Sequence, residues 1–203
     1  MRCELGEFME ENLMPTSSYL QLNEITQLMY QTRPQSVLDI GVGFGKYGVL
    51  AREYLEFWGA AAEYDQWTRR IDGIEVFDKY LTPLHEYVYD NIYRGDAREI
   101  LPKLTFTYDL ILLIDVIEHF DLGEGMRMVD LCLKKGRNVI VATPRNTTAQ
   151  EDAFGNPFER HRCQWEHRHS EQFSPRFSVP NSQSLIYLIG EVASKFAVEM
   201  RPV

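Results

Sequence analysis

The run Val37-Leu-Asp-Ile-Gly41-Val-Gly43-Phe-Gly45-Lys46-Tyr-Gly48 limits what this chain can fold into more than any other stretch. An apolar segment opening with the β-branched Val37 runs into closely spaced glycines. Apolar residues then recur at Tyr47, Leu50, Ala51, Tyr54 and Leu55, the spacing of one helix face. The order predicts a strand, a tight turn and a helix. Glycines let the backbone come close to a ligand, and the helix start behind them offers unpaired N–H groups to anything negative. A small polar or charged ligand is therefore expected at this turn.

Further strands and helices follow in alternation. Ala60 to Arg70 is polar and without period, a surface extension, and Ile71 to Phe77 then reads as a second strand with Glu75 near its C-terminal end. Thr82-Pro83 marks a helix start. Asn91 to Leu101 reads as a short strand, a turn at Gly95 and a helix, with Asp96 and Glu99 at capping-box spacing. Within Tyr108 to Ile114 the run from Leu110 is continuously apolar, as a central parallel strand buried on both faces requires, and it ends in Asp115, Glu118 and His119. Charged groups just past such a strand lie where open α/β sheets bind ligands. A helix from Asp121, capped back by Glu124 and closed by Lys134-Lys-Gly136 with Gly136 as C-cap, leads to a fifth strand, Asn138 to Pro144. Arg176 to Pro180 and Ser184 to Gly190 are joined by too few residues for a crossover helix, so they form a hairpin. Ahead of all this, Leu22, Ile25, Leu28 and Met29 form the stripe of a capping helix that starts near Ser18 and Gln21 and stops at Arg33-Pro34. The predicted class is α/β: a doubly wound, Rossmann-like, seven-stranded, mostly parallel sheet with an antiparallel final strand.

Length and charge narrow the function. At 203 residues the chain fits one domain with a sizeable core. No apolar run approaches the roughly 18 residues of a membrane span, and the first residues lack the regions of a signal peptide. Three scattered cysteines, Cys3, Cys132 and Cys163, make no disulfide framework. These features predict a cytoplasmic protein. A net charge of -9 argues against non-specific affinity for nucleic acid or anionic membrane and favours a small-molecule substrate. The pattern does not fix an oligomeric state.

Asp39-Ile-Gly41-Val-Gly43-Phe-Gly45, an acid two residues before a GxGxG turn, resembles motif I of the class I S-adenosylmethionine (SAM) dependent methyltransferases. Glu75, Gly95-Asp96-Ala97, Asp115-Val-Ile-Glu118-His119 and Leu133-Lys-Lys-Gly136 leading to Val141-Ala-Thr-Pro144 follow in that family's order. The resemblance implies a SAM cofactor, with S-adenosylhomocysteine (SAH) as product. It implies that Asp39, Gly41, Gly43 and Gly45 hold the methionine part, Glu75 the ribose, and Asp96 with Ala97 the adenine. Asp115 and His119 would line the cofactor and substrate side. The chain then divides into a helical cap (1–34), a cofactor-binding half (35–145) and a substrate-side loop with the closing hairpin (146–203).

Members that methylate nucleobase or amide nitrogens carry Asn/Asp-Pro-Pro-Tyr/Phe after the fourth strand, whereas Asp115-Val-Ile-Glu118 stands here, so an oxygen acceptor is implied. Glu159-Arg-His161-Arg-Cys163-Gln-Trp165 resembles the family's Glu-x-His-x-Ser-x-Trp pattern, which makes His161 the general base and Glu159 its orienting partner. If extended, the segment places His161, Cys163, Trp165, His167 and His169 on one face. The spacing of its histidines and cysteine matches no usual zinc pattern, so no metal is expected. Two alternatives stay open. Gly43 to Gly48 also satisfies the GxGxxG spacing of NAD-linked oxidoreductases, and a non-enzymatic SAM-binding interaction protein would carry the same turn.

Overall fold

The computed structural model describes residues 16–58, 66–147, 150–153 and 155–199. Cys3, the first 15 residues of the predicted cap and residues 60–65 of the predicted extension lie outside them. The cap helix α1 (Leu22–Thr32) precedes β1 (Ser36–Ile40), and α2 (Lys46–Ala51) runs on into a π-helical turn over Arg52–Phe57. Then come β2 (Arg70–Glu75), α3 (Pro83–Val88), β3 (Asn91–Arg94), α4 (Ala97–Ile100), β4 (Tyr108–Ile114), α5 (Leu122–Lys135) and β5 (Gly136–Pro144). The chain closes with β6 (Arg176–Val179), β7 (Ser184–Gly190) and α6 (Ala193–Glu199).

Seven strands form one sheet in the order β3-β2-β1-β4-β5-β7-β6. The pairs from β3 through β5 are parallel, while β7 is antiparallel to both β5 and β6. The predicted closing hairpin is thus present, with β7 the one reversed strand. Alternation along the buried β4 divides the core in two. Leu110, Leu112 and Ile114 pack on one face with Ile25, Leu28 and Met29 of α1, and Ile111 and Leu113 pack on the other with Met128, Val129 and Cys132 of α5. Successive strands step outward from β1 through β2 to β3 and in the opposite direction from β4 to β5. The reversal between β1 and β4 opens a crevice at their C-terminal ends, where doubly wound sheets take ligands.

Local details differ from the sequence expectations where a longer-range partner competes better. Gly136 caps α5 as expected, its N–H donating to the Cys132 carbonyl, but with an extended backbone that already begins β5. A Cβ there would lie 2.7 Å from Ile111 Cγ1, so strand packing is what requires the glycine. Asp121 is the N-cap of α5, but its side chain makes no capping bond, and the Glu124 carboxylate accepts from Arg98 Nη1 at 2.7 Å. An arginine offers a charge-assisted bond that a backbone amide does not match.

One buried pair ties β1 to the segment after α3. Asp39 is 2% exposed and accepts from the Tyr89 hydroxyl at 2.6 Å. Burial lifts its pKa from 3.8 to about 7, opposed by the Tyr89 bond and reinforced by the Glu75 charge. Gly48 of α2 backs the same ring, and a Cβ there would lie 2.3 Å from Tyr89 Cζ. Because the folded carboxyl keeps its proton to higher pH than the unfolded one, its contribution is fully present below about pH 4 and is lost as pH rises towards 7. Asp39→Asn keeps an acceptor for Tyr89 and removes the titration. Denaturant unfolding from pH 4.5 to 7.5 should show wild type losing about 3 kcal/mol relative to this variant, and parallel profiles would refute the assignment. Gly48→Ala should cost about 1–3 kcal/mol at either pH by displacing the ring.

Candidate active site

The crevice between β1 and β4 holds a cavity of about 540 Å³. Its floor is the glycine turn. Gly41, Gly43 and Gly45 have φ of 75°, 50° and 90°, a region that side chains with a Cβ rarely enter, which accounts for all three residues. The turn has no side chains of its own to hold it and is fixed from outside. Gly43 N–H donates to Glu75 Oε2 at 3.0 Å, and the Gly43 carbonyl accepts from His85 Nε2 at 2.9 Å. His85 can donate there because its Nδ1 accepts from Thr82 N–H at 3.0 Å, which leaves the proton on Nε2. Lys46, the first residue of α2, donates through Nζ to the Ser17 carbonyl.

The acidic residues singled out in the sequence take distinct positions. Glu75 is buried beside the cavity, and each of its oxygens accepts one backbone N–H, from Gly43 and from Phe77 at 2.9 Å. Burial raises its pKa against those bonds. A carboxylate has about four acceptor positions, so two remain for a ligand. Asp96 also lines the cavity. It caps α4 by accepting from Arg98 N at 2.8 Å, and both its oxygens receive the Arg98 guanidinium. Desolvation raises its pKa, but the Arg98 bonds outweigh that and hold it below the usual range. Ala97 lines the same wall. Asp39 and Gly45 stand behind the lining, Asp39 against Tyr89 and Gly45 beside His85.

Asp115 sits where β4 ends, with φ of 52°, and its Oδ2 accepts from Gln21 Nε2 at 2.6 Å. Burial raises its pKa, opposed by Ser17, Gln21 and the Lys46 charge. Asp115 Oδ1, Gln21 Oε1 and the Tyr47 hydroxyl are buried without a hydrogen-bond partner. Three unsatisfied polar atoms around one charged lysine are costly unless a ligand supplies the missing bonds. Sequence reading missed Gln21, Tyr47 and His85 as site residues. Gln21 and Tyr47 look like ordinary members of helix faces, and only the fold shows what they meet.

On the opposite wall the turn after β4 meets the histidine segment. Arg162 N and Cys163 N donate to the Glu118 carbonyl at 2.8 and 3.2 Å, and Trp165 Nε1 donates to the Ile117 carbonyl at 3.2 Å. His119 Nδ1 pairs with the Arg160 carbonyl at 3.2 Å. The two rings His119 and His161 stand with centroids 5.1 Å apart. Burial depresses the His119 pKa to about 4, opposed by the Arg160 carbonyl and reinforced by His161. Glu118 is 1% exposed, its Oε2 accepts from the Thr143 hydroxyl at 3.0 Å, and burial and the Asp115 charge raise its pKa. Glu159 accepts from Tyr80 at 3.0 Å and from Asn156 at 3.2 Å. The extended run stops at Glu166, and a 3-10 turn over His167–Ser170 takes His167 and His169 away from His161. His167 instead meets Tyr187 at 2.8 Å, and His169 accepts from Glu166 N at 3.1 Å.

No protein-family model matches the chain, and no curated protein matches it. Solved structures do. A SAM-dependent methyltransferase from Archaeoglobus fulgidus superposes with a TM-score of 0.62 at 14% identity, covering 84% of this chain and 92% of that one. Magnesium protoporphyrin IX methyltransferase from Synechocystis, solved with bound SAH, gives 0.54 at 14% identity over 84% and 82%. An rRNA methylase from Escherichia coli gives 0.53 at 15% identity over 84% and 63%. The chain spans 57% and 63% of the length of two of its matches, the rRNA methylase being the second. Identities this low speak to architecture alone, and the architecture they share with this chain is the class I SAM-dependent methyltransferase fold.

Proposed function

We propose that this protein transfers a methyl group from SAM to an oxygen of a small acceptor molecule. The observation that carries the reading is the set of unsatisfied buried atoms, Asp115 Oδ1 and Tyr47 OH on the cavity wall beside Lys46 and the glycine turn, with Gln21 Oε1 on the side chain that bonds Asp115. The amino-acid end of SAM is a zwitterion: its ammonium can supply the missing hydrogen bonds, and its carboxylate suits Lys46 and the N–H groups at the start of α2. Gly41, Gly43 and Gly45 keep side chains out of its way, and Asp39 supports the turn from behind. Glu75, with two acceptor positions left, is assigned the ribose hydroxyls. Ala97 is assigned the adenine. Asp96 shares that wall, with much of its accepting capacity already given to Arg98.

SAM brings a methyl group already activated on a sulfonium, so the protein's part is to align the acceptor and relieve it of its proton. His161 and His119 are assigned to that deprotonation, and Glu159, held by Tyr80 and Asn156, to positioning the segment that carries His161. Asp115-Val-Ile-Glu118 in place of a Pro-Pro segment supports an oxygen acceptor. The size of the cavity and the net charge of -9 support a small one, although one protein of similar fold is an rRNA methylase. No helix among the described residues is long and apolar enough to cross a membrane.

Calorimetric titration separates this reading from its alternatives. SAM and SAH should bind and NAD should not. Glu75→Ala should weaken SAH about 10- to 100-fold, the worth of hydrogen bonds to a charged group. Binding of NAD alone would point to an oxidoreductase, binding of neither would overturn the methyltransferase reading, and SAM binding without transfer to any acceptor would point to the non-enzymatic SAM-binding protein. A screen of hydroxylated small molecules against RNA then tests the acceptor, and methylation of RNA only would overturn the small-molecule assignment.

A further inference from the structure

Glu118, His119 and His161 each bring one ligand atom to within 4.8 Å of the other two. We propose that they hold a divalent transition-metal ion, of the zinc, cobalt or manganese kind, on the acceptor side of the cavity. The inference rests on the methyl-transfer reading above for its purpose but not for its evidence.

Three features make this a built site. The donor set, two imidazoles and one carboxylate, suits borderline divalent ions better than magnesium or calcium, which prefer all-oxygen shells. The ligands are oriented from behind. His119 Nδ1 donates to the Arg160 carbonyl, which fixes the tautomer and leaves the Nε2 lone pair free to coordinate, and Thr143 holds one oxygen of Glu118. Finally, the two stretches that supply the ligands are bound to each other by backbone at Glu118–Arg162 and Glu118–Cys163 and by the indole of Trp165 on Ile117. A tetrahedral ion with bonds near 2.1 Å spaces its ligands by about 3.4 Å, so coordination asks for a contraction of up to about 1.4 Å at the widest gap. Rotation of the half-exposed His161 and His119 rings can supply it.

Three protein ligands leave coordination positions facing the cavity, which Glu118, His119 and His161 all line. A hydroxyl of the acceptor taking such a position has its pKa lowered, as a bound ion lowers that of water. The O–H bond breaks and its proton passes to solvent. The oxygen then forms a bond to the methyl carbon of SAM while the carbon–sulfur bond breaks, its electron pair staying on sulfur in SAH. On this view His161 and His119 deprotonate the acceptor through the ion they hold rather than as free bases.

The test is stoichiometric metal binding to full-length protein stripped with a chelator, using Zn²⁺ by equilibrium dialysis and Co²⁺ by its visible absorption. One equivalent should bind, with a Co²⁺ spectrum of low symmetry. Glu118→Gln and His161→Asn should each weaken binding at least tenfold. Cys163→Ser should leave it unchanged, which excludes a thiol site. SAH titration of the same variants shows that they are folded. Failure to bind Zn²⁺ or Co²⁺ by a wild type that binds SAH overturns the metal site and leaves the methyltransferase reading standing. Metal bound by a protein that does not bind SAH does the reverse. Binding that survives Glu118→Gln and His161→Asn overturns the assignment to these residues.

Discussion

Gly43 is gripped through both sides of its own backbone, by a carboxylate at the N–H and by an imidazole at the carbonyl. A turn of three glycines with positive φ has little conformational preference and no side chains to bury, so its shape is borrowed from these two partners. Each partner is itself committed elsewhere. Glu75 spends its second oxygen on Phe77 N, which fixes the exit from β2, and His85 can donate to Gly43 only because Thr82 N–H occupies its other nitrogen at the start of α3. The cap of one helix thereby sets the tautomer that shapes a turn 40 residues earlier in the chain. Loss of either grip would release the whole floor of the cavity, since α2 starts within two residues of it.

Most of the fold was legible because its signals are local. An apolar run ending in glycines, a strand with five consecutive apolar residues from Leu110 to Ile114, and a two-strand segment with too short a connection each specify an element from its own residues. The antiparallel β7 followed from connection length alone, a purely geometric limit. What was misread had local signals too, but ones overruled from a distance. Glu124 looked like a capping-box partner and went to Arg98, while Gly136 does cap α5 but has to be glycine because its Cα is pressed on Ile111 in the sheet. A sequence shows which bonds a residue is able to make, and the fold determines which bond is strongest.

The site was less legible than the fold for the same reason. Its acidic and glycine positions are marked by spacing within single motifs, but Gln21 meets Asp115 across 94 residues of chain, and His119 meets Arg160 across 41. Sequence proximity grouped His161 with Cys163, His167 and His169, whereas backbone bonds group it with Glu118 and His119. The 3-10 turn that begins at His167 breaks the extended alternation on which the first grouping depended. Pairing of β4 with β5 puts Thr143 beside Glu118, and no spacing rule contains that information.

Asp115 to His119 makes the two halves of the site inseparable. Asp115 faces Gln21 and Lys46 at the end proposed for the cofactor, and three residues later Glu118 and His119 face His161 at the end proposed for the acceptor. Asp115 is one of only two described residues other than glycine with positive φ, a conformation that Asp tolerates better than most but that still costs energy. That bend directs the Asp115 carboxylate towards Gln21 while the short 3-10 turn over Ile117–His119 brings Glu118 and His119 round to His161. On the proposed reading, any shift that tightens Asp115 on the ammonium of SAM is passed along the four-residue segment to Glu118. The proposed transfer would then have its donor–acceptor spacing set by backbone geometry rather than by mobile side chains, as in-line transfer with little tolerance for misplacement requires.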